Sequence, residues 1–155
     1  MKFSTREDIE APIERVFAAA TDFDNFERLI LRRGGSIQRQ DDRTTPGVGM
    51  RWSVGFKFRG RKRQAEAEVV QFDPHEDFSI ESKSGGVLIY MDLSLVELSP
   101  TRTRLILGVD LKPKSMSARL LLQSMKLAQS SLTTKFKMRV SEFAHKIERE
   151  YKSAA

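Results

Sequence analysis

The sequence predicts a single α+β domain over residues 1–155, with a curved antiparallel sheet of seven strands wrapped around a long C-terminal helix and two short helices after the first strand. Three observations predict it. Between Ser36 and Lys112, apolar and polar residues alternate in runs separated by Gly, Pro, Asp and Ser clusters, the pattern of strands joined by tight turns. From Ser115 to about Tyr151, apolar residues recur at spacings of three and four, the stripe of a long helix. Such a stripe needs a concave sheet to cover it, because a helix draws most of its stability from tertiary packing. Ahead of the strand runs lie two short helical patterns.

Each element follows from local chemistry. Phe3 to Ile9 alternates apolar or small with charged residues and reads as a strand. Pro12 opens a helix carrying Ile13, Val16 and Phe17, since proline is tolerated in a first helical turn. Asp22 or Thr21 caps a second helix with Phe23, Phe26, Leu29 and Ile30, ended by Gly34-Gly35. Ser36 to Gln40 is a strand, and Pro46-Gly47-Val48-Gly49 turns the chain. Met50 to Phe58 places Met50, Trp52, Val54, Phe56 and Phe58 on one face. Arg63 to Phe72, Phe78 to Ser82, Val87 to Leu98 and Arg102 to Lys112 complete the sheet. Val69-Val70 and Phe72 break strict parity and suggest a bulge. Short connections make neighbouring strands antiparallel. The final helix carries its stripe on Ala118, Leu121, Met125, Ala128, Leu132, Phe136, Val140, Phe143 and Ile147.

Composition narrows the function classes. With no Cys, the chain has no disulfide framework, no thiolate nucleophile and no Cys-ligated zinc. Charged residues follow Met1-Lys2-Phe3-Ser4 at once and no long apolar run occurs, so a cytoplasmic protein is expected. The net charge of +6 is unevenly placed: residues 1–111 hold 17 basic and 18 acidic side chains, residues 112–155 hold 10 and 3. A basic helix attracts anionic surfaces or serves as a solvated face. A second basic run, Arg59-Gly60-Arg61-Lys62-Arg63, falls at a hairpin tip, and Arg32-Arg33 can join it in facing an acidic partner or membrane. No aromatic residues interleave that run, which argues against nucleic acid.

The stretch Ile9-Glu10-Ala11-Pro12-Ile13-Glu14-Arg15-Val16-Phe17 matches a pattern I-x-A-P-x-x-x-V-F. With Pro46-Gly47-Val48-Gly49-Met50-Arg51-Trp52, Phe72-Asp73-Pro74 and the element order, the chain resembles the START-like helix-grip superfamily, in its SRPBCC or polyketide cyclase/dehydrase-like branch. The resemblance covers nearly the whole chain and implies the helix-grip fold. Its members bind or transform very different molecules, so it implies no single activity.

Strand parity predicts an apolar inner wall. The candidate ligand-binding residues are Trp52, Val54, Phe56, Phe58, Met91 and Leu107 from the strands, Phe136 from the long helix and Phe26 from the short one. Ala65 and Ala67 leave room opposite Trp52 and Phe56. Phe23, Phe26 and Ile30 are expected at the entrance. Two inward charges stand out: with the first two strands as neighbours, Glu7 and Arg39 pair across them, either structurally or as a polar anchor for a ligand headgroup. No catalytic set emerges. His75 and His145 are the only histidines and neither has a second ligand at metal spacing, so no metal and no cofactor is expected.

Three readings follow. The first is binding or carrying of a small hydrophobic molecule: a lipid, isoprenoid, quinone or polyketide-like compound. The second, implied by the resemblance, is a cyclase- or dehydrase-type enzyme, for which parity offers only Glu7 with Arg39. The third is a membrane- or protein-interaction module using the basic helix, where Met116, Leu120, Leu127 and Met138 form a line opposite the core stripe suited to a homodimer or transient membrane contact.

Overall fold

The computed structural model describes residues 1–154. Its elements run β1 (Lys2–Ile9), α1 (Ile13–Ala20), α2 (Phe23–Arg32), β2 (Ser36–Arg39), β3 (Arg51–Phe58), β4 (Arg61–Asp73), β5 (Asp77–Ser84), β6 (Val87–Ser99), β7 (Arg102–Pro113), α3 (Met116–Lys126) and α4 (Gln129–Ala154). The strands form one seven-stranded sheet in the order β1-β7-β6-β5-β4-β3-β2, every neighbouring pair antiparallel. The α+β helix-grip architecture is therefore the one the sequence predicts.

Local chemistry explains the corner between β1 and α1. Ile9 and Ala11 are fully buried, and Ile9 lies opposite Thr103 of β7. The Thr103 hydroxyl, also fully buried, donates to the Ala11 carbonyl at 2.8 Å, so an acceptor removed from water keeps a partner. Pro12 then sits extended as the helix N-cap, and its carbonyl accepts from Val16. Val16 and Phe17 turn into the core. The other two motif segments meet the first there: Phe17 packs edge-on against Phe72 at 5.4 Å, and Met50 and Trp52 share the core cluster of Ile9, Val16 and Phe17. All three motifs thus build one end of the core.

The hairpins obey turn chemistry. Arg59 and Gly60 both have positive φ, as do Gly85 and Gly86, so each pair makes the two-residue turn whose twist matches its flanking strands. The bulge suggested by the sequence is present: the β4–β5 register shifts between Val69 and Gln71, leaving Val70 unpaired. It restores Phe72 to a position opposite Phe78.

Three expectations need correction. The C-terminal segment is not one helix. It breaks at Leu127 and Ala128, whose amides donate to Ser124 and Met125 at i−3 rather than i−4. The Ser124 hydroxyl donates to the Leu121 carbonyl at 2.7 Å and tightens the last turn of α3. Leu127 is left 92% exposed at the bend. The predicted pairing of Glu7 with Arg39 fails because β1 and β2 occupy opposite ends of the strand order. Ala65 faces Val54, and it is Arg63 that stands opposite Phe56; the Trp52–Ala67 pairing does occur.

The core has two parts. The larger joins Ile9, Val16, Phe17, Phe78, Leu105, Val140, Ala144 and Ile147, so that the C-terminal half of α4 is seated on the sheet and α1. The smaller gathers Val87, Ala118, Leu122 and Met125 and seats α3, with Phe58 packed against it. Met116, Leu120 and Met138 are exposed, as their place opposite the stripe predicts. No helix is long and apolar enough to cross a membrane.

Replacing Thr103 by Val deletes the hydroxyl and strands the Ala11 carbonyl. The expected loss is about 1–3 kcal/mol of unfolding free energy, read by urea denaturation. An unchanged midpoint would show that this corner is held by packing alone.

Candidate ligand cavity

Between the sheet, α2 and α4 lies a cavity of about 1070 Å³, bordered by residues of both core clusters. Its floor comes from inward positions of the strands: Trp52 and Val54 of β3, Ala67 of β4, Phe78 and Ile80 of β5, Met91 and Leu93 of β6, Leu105 and Leu107 of β7. Its roof is α4, through Leu132, Phe136, Val140 and Phe143. Its side wall is α2. The Phe23 ring packs at a tilt against Trp52, centroids 5.2 Å apart, and Phe26 lies 5.9 Å from Phe143, which ties α2 to α4. Ala67 opposite Trp52 is one source of the space, since a methyl group stands there and its other neighbour, Ser82 of β5, is also small.

Of the eight residues predicted to contact a ligand, Trp52, Val54, Met91, Leu107, Phe136 and Phe26 line the cavity. Phe56 and Phe58 do not. Parity puts them on the inner face, but β3 has by then run on toward α3, where Phe58 joins the smaller core cluster beneath the guanidinium groups of Arg59 and Arg63. Of the three residues expected at the entrance, Phe23 is buried wall, whereas Phe26 and Ile30 are only partly buried.

Neither Glu7 nor Arg39 lines the cavity. Arg39 is held elsewhere: its guanidinium donates twice to Asp41, at 3.0 and 2.6 Å, and lies over the Trp52 ring at 5.7 Å. Asp41 also accepts from the backbone amides of Arg43 and Arg51, at 2.9 and 2.7 Å. These donors, the Arg39 guanidinium first, hold the Asp41 carboxyl far below the usual carboxylate range. The assembly clamps the β2–β3 connection behind Trp52.

Two cavity-lining acidic groups escaped the sequence analysis, the exposed Glu142 of α4 and Glu27 of α2. Glu27 is half-buried on the cavity wall, and burial pushes its carboxyl above its ordinary value against the opposing pull of Arg39. The available signal was spacing: Glu27 follows the buried Phe23 by one helical turn and shares its face. His75 and His145 are both exposed and away from the cavity, and His145 bonds the Ser141 carbonyl of its own helix. Among the described residues, no three His, Asp or Glu side chains gather as a metal-ligand set.

The family described as "Polyketide cyclase / dehydrase and lipid transport" matches residues 1–144. The chain belongs to this family. Solved structures agree on the fold of this polyketide cyclase/dehydrase-family chain. The Zhui aromatase/cyclase of Streptomyces sp. R1128 superposes with a TM-score of 0.69 at 12% identity, covering 96% of this chain and 94% of its own. A protein from Thermus thermophilus gives 0.68 at 17% identity, covering 95% and 97%. Norcoclaurine synthase from Thalictrum flavum, solved with dopamine and hydroxybenzaldehyde, gives 0.68 at 12% identity, covering 97% and 87%. At these identities the likeness is one of fold. No curated protein matches the chain by sequence.

Asp41 gives a pH signature. A carboxyl whose pKa is depressed in the fold contributes stability above its unfolded value, near 3.8, and loses it as pH falls through the folded value. Asp41→Asn is therefore expected to cost about 2 kcal/mol near neutrality, the gap to wild type closing in acid. Denaturant midpoints across pH measure it, and a gap independent of pH would remove the ionic role.

Proposed function

We propose that the protein binds and carries a small hydrophobic molecule (a lipid, isoprenoid, quinone or polyketide-like compound) in the cavity between the sheet and α4. The observation that carries this reading is an unfilled volume of about 1070 Å³ with apolar walls in the middle of a well-packed domain. Leu132 and Phe136 of α4, though packed at the margins of the two core clusters, are only partly buried and line this space rather than closing it. Burying an apolar ligand there supplies about 25 cal/mol per Å² before the costs of association. The family's description includes lipid transport, which supports the same reading.

Trp52 is the chain's single tryptophan and lines the cavity, so its emission reports occupancy directly. Titration with Nile red, a neutral apolar dye, is expected to saturate and to change Trp52 emission. Ala67→Phe places a ring into the space opposite Trp52, and Leu107→Phe narrows the floor. Each is expected to weaken the dye by about tenfold, roughly the 1.4 kcal/mol that separates a filled from an open subsite, with far-UV circular dichroism unchanged. Undiminished affinity in both variants would place the dye elsewhere.

A cyclase- or dehydrase-type enzyme is the second reading, and Glu27 is the observation that favours it. A carboxyl with raised pKa on an apolar wall has the environment of a general acid. The solved aromatase/cyclase supplies the reaction class to test. Glu27→Gln should abolish any cyclisation of an aromatic polyketide precursor by the wild-type protein while leaving Nile red affinity intact. If wild type does not turn the precursor over, the enzymatic reading falls and the carrier reading stands.

A further inference from the structure

The cavity has apolar walls but a cationic mouth. Arg32 and Arg33, at the end of α2, line it together with Lys135, Arg139, Lys146 and Arg149 of α4. All six are exposed, so they border the opening and do not occupy the interior. Against them stand two carboxylates, the half-buried Glu27 and the exposed Glu142. Among the described residues, only Lys146 of the six has a carboxylate within reach, Glu150 at 4.0 Å.

The arrangement follows from helix periodicity. Lys135, Arg139, Glu142 and Lys146 each immediately precede a residue of the core stripe: Phe136, Val140, Phe143 and Ile147. One residue is about 100° of helix rotation, so these side chains border the stripe that roofs the cavity. Lys135 and Arg139 are like charges one turn apart, a mildly destabilising pair when no anion lies between them. Cations beside an apolar stripe are ordinary on one amphipathic helix, but here two elements, α2 and α4, bring theirs to the same opening.

We infer that the ligand is an amphiphile with an anionic headgroup, a carboxylate or a phosphate, held among Arg32, Arg33, Lys135 and Arg139 while its apolar chain fills the cavity. This rests on the hydrophobic-carrier reading and adds the headgroup to it. Arg offers a planar fork to such an anion and Lys a mobile point charge, and an exposed rim lets the headgroup stay partly hydrated. The chain then runs from charged mouth to apolar floor without burying an unpaired charge.

The test compares three ligands that share a tail: dodecanoic acid, dodecyl phosphate and dodecan-1-ol, titrated by Trp52 emission into wild type and into the double variant Lys135→Glu/Arg139→Glu. Both substituted positions are exposed, and circular dichroism checks the fold. Wild type is expected to bind the two anions about tenfold tighter than the alcohol at low salt, the order that several exposed charge pairs supply. That preference should shrink at about 1 M salt, where the screening length is roughly 3 Å. The variant should keep wild-type affinity for the alcohol and lose the preference. Equal binding of anions and alcohol by wild type would overturn the headgroup assignment and leave the carrier reading intact. Binding of none of the three would overturn both. A preference that survives in the variant, while binding to phosphatidylglycerol vesicles is lost, would overturn the assignment in favour of membrane docking.

Discussion

The seat of the C-terminal half of α4 is the contact on which the rest depends. Val140, Ala144 and Ile147 pack into the core cluster that also holds Ile9, Val16 and Leu105. This fixes one end of a 26-residue helix and leaves its other half standing over the sheet. At the far end α3 has its own seat on Val87. Because both ends are held by packed clusters, the middle need not be filled for the domain to be stable. The cavity is thus a product of two separated anchors, with Leu132 packed at the edge of one and Phe136 at the edge of the other, both also serving as cavity wall.

Most of the architecture was legible because it depends on patterns that act over a few residues. Alternation gave the strands, and turn residues gave their antiparallel order. The bulge at Val70 was visible as two adjacent apolar residues followed by a change of phase. What escaped had non-local or atomic causes. The helix break does not interrupt the three-four spacing; it follows from hydrogen bonds around Ser124 that no periodicity records. The separation of Glu7 from Arg39 is a matter of strand order, and sequence neighbours gave the wrong adjacency. Parity put Phe58 on the face where it meets the smaller core cluster, but it could not say where along the sheet the cavity ends. Glu27 escaped because a short helix whose apolar stripe is Phe23, Phe26, Leu29 and Ile30 shows its polar residues as solvated by default.

The polar groups near the cavity divide by role. Arg39 and Asp41 satisfy each other and brace the loop behind Trp52, so they stiffen the floor without offering charge to its contents. Glu27 is placed on the wall, where burial works against its ionised form. The exposed cations of α2 and α4 sit at the opening, where charge retains its water. Polarity thus increases from floor to mouth, a gradient that matches a molecule with two unlike ends better than a uniformly apolar one.

The strand order also leaves two free margins, and a sheet that does not close on itself has rows of backbone donors and acceptors open to other chains. The margins are blunted in different ways. β2 has only four residues, and the Asp41 clamp turns the chain away directly after it. β1 is longer but sets Lys2, Arg6 and Asp8 along its outer face, and Asp8 is drawn to Arg104 on the neighbouring strand. Edge-to-edge polymerisation is discouraged at one side by brevity and at the other by charge.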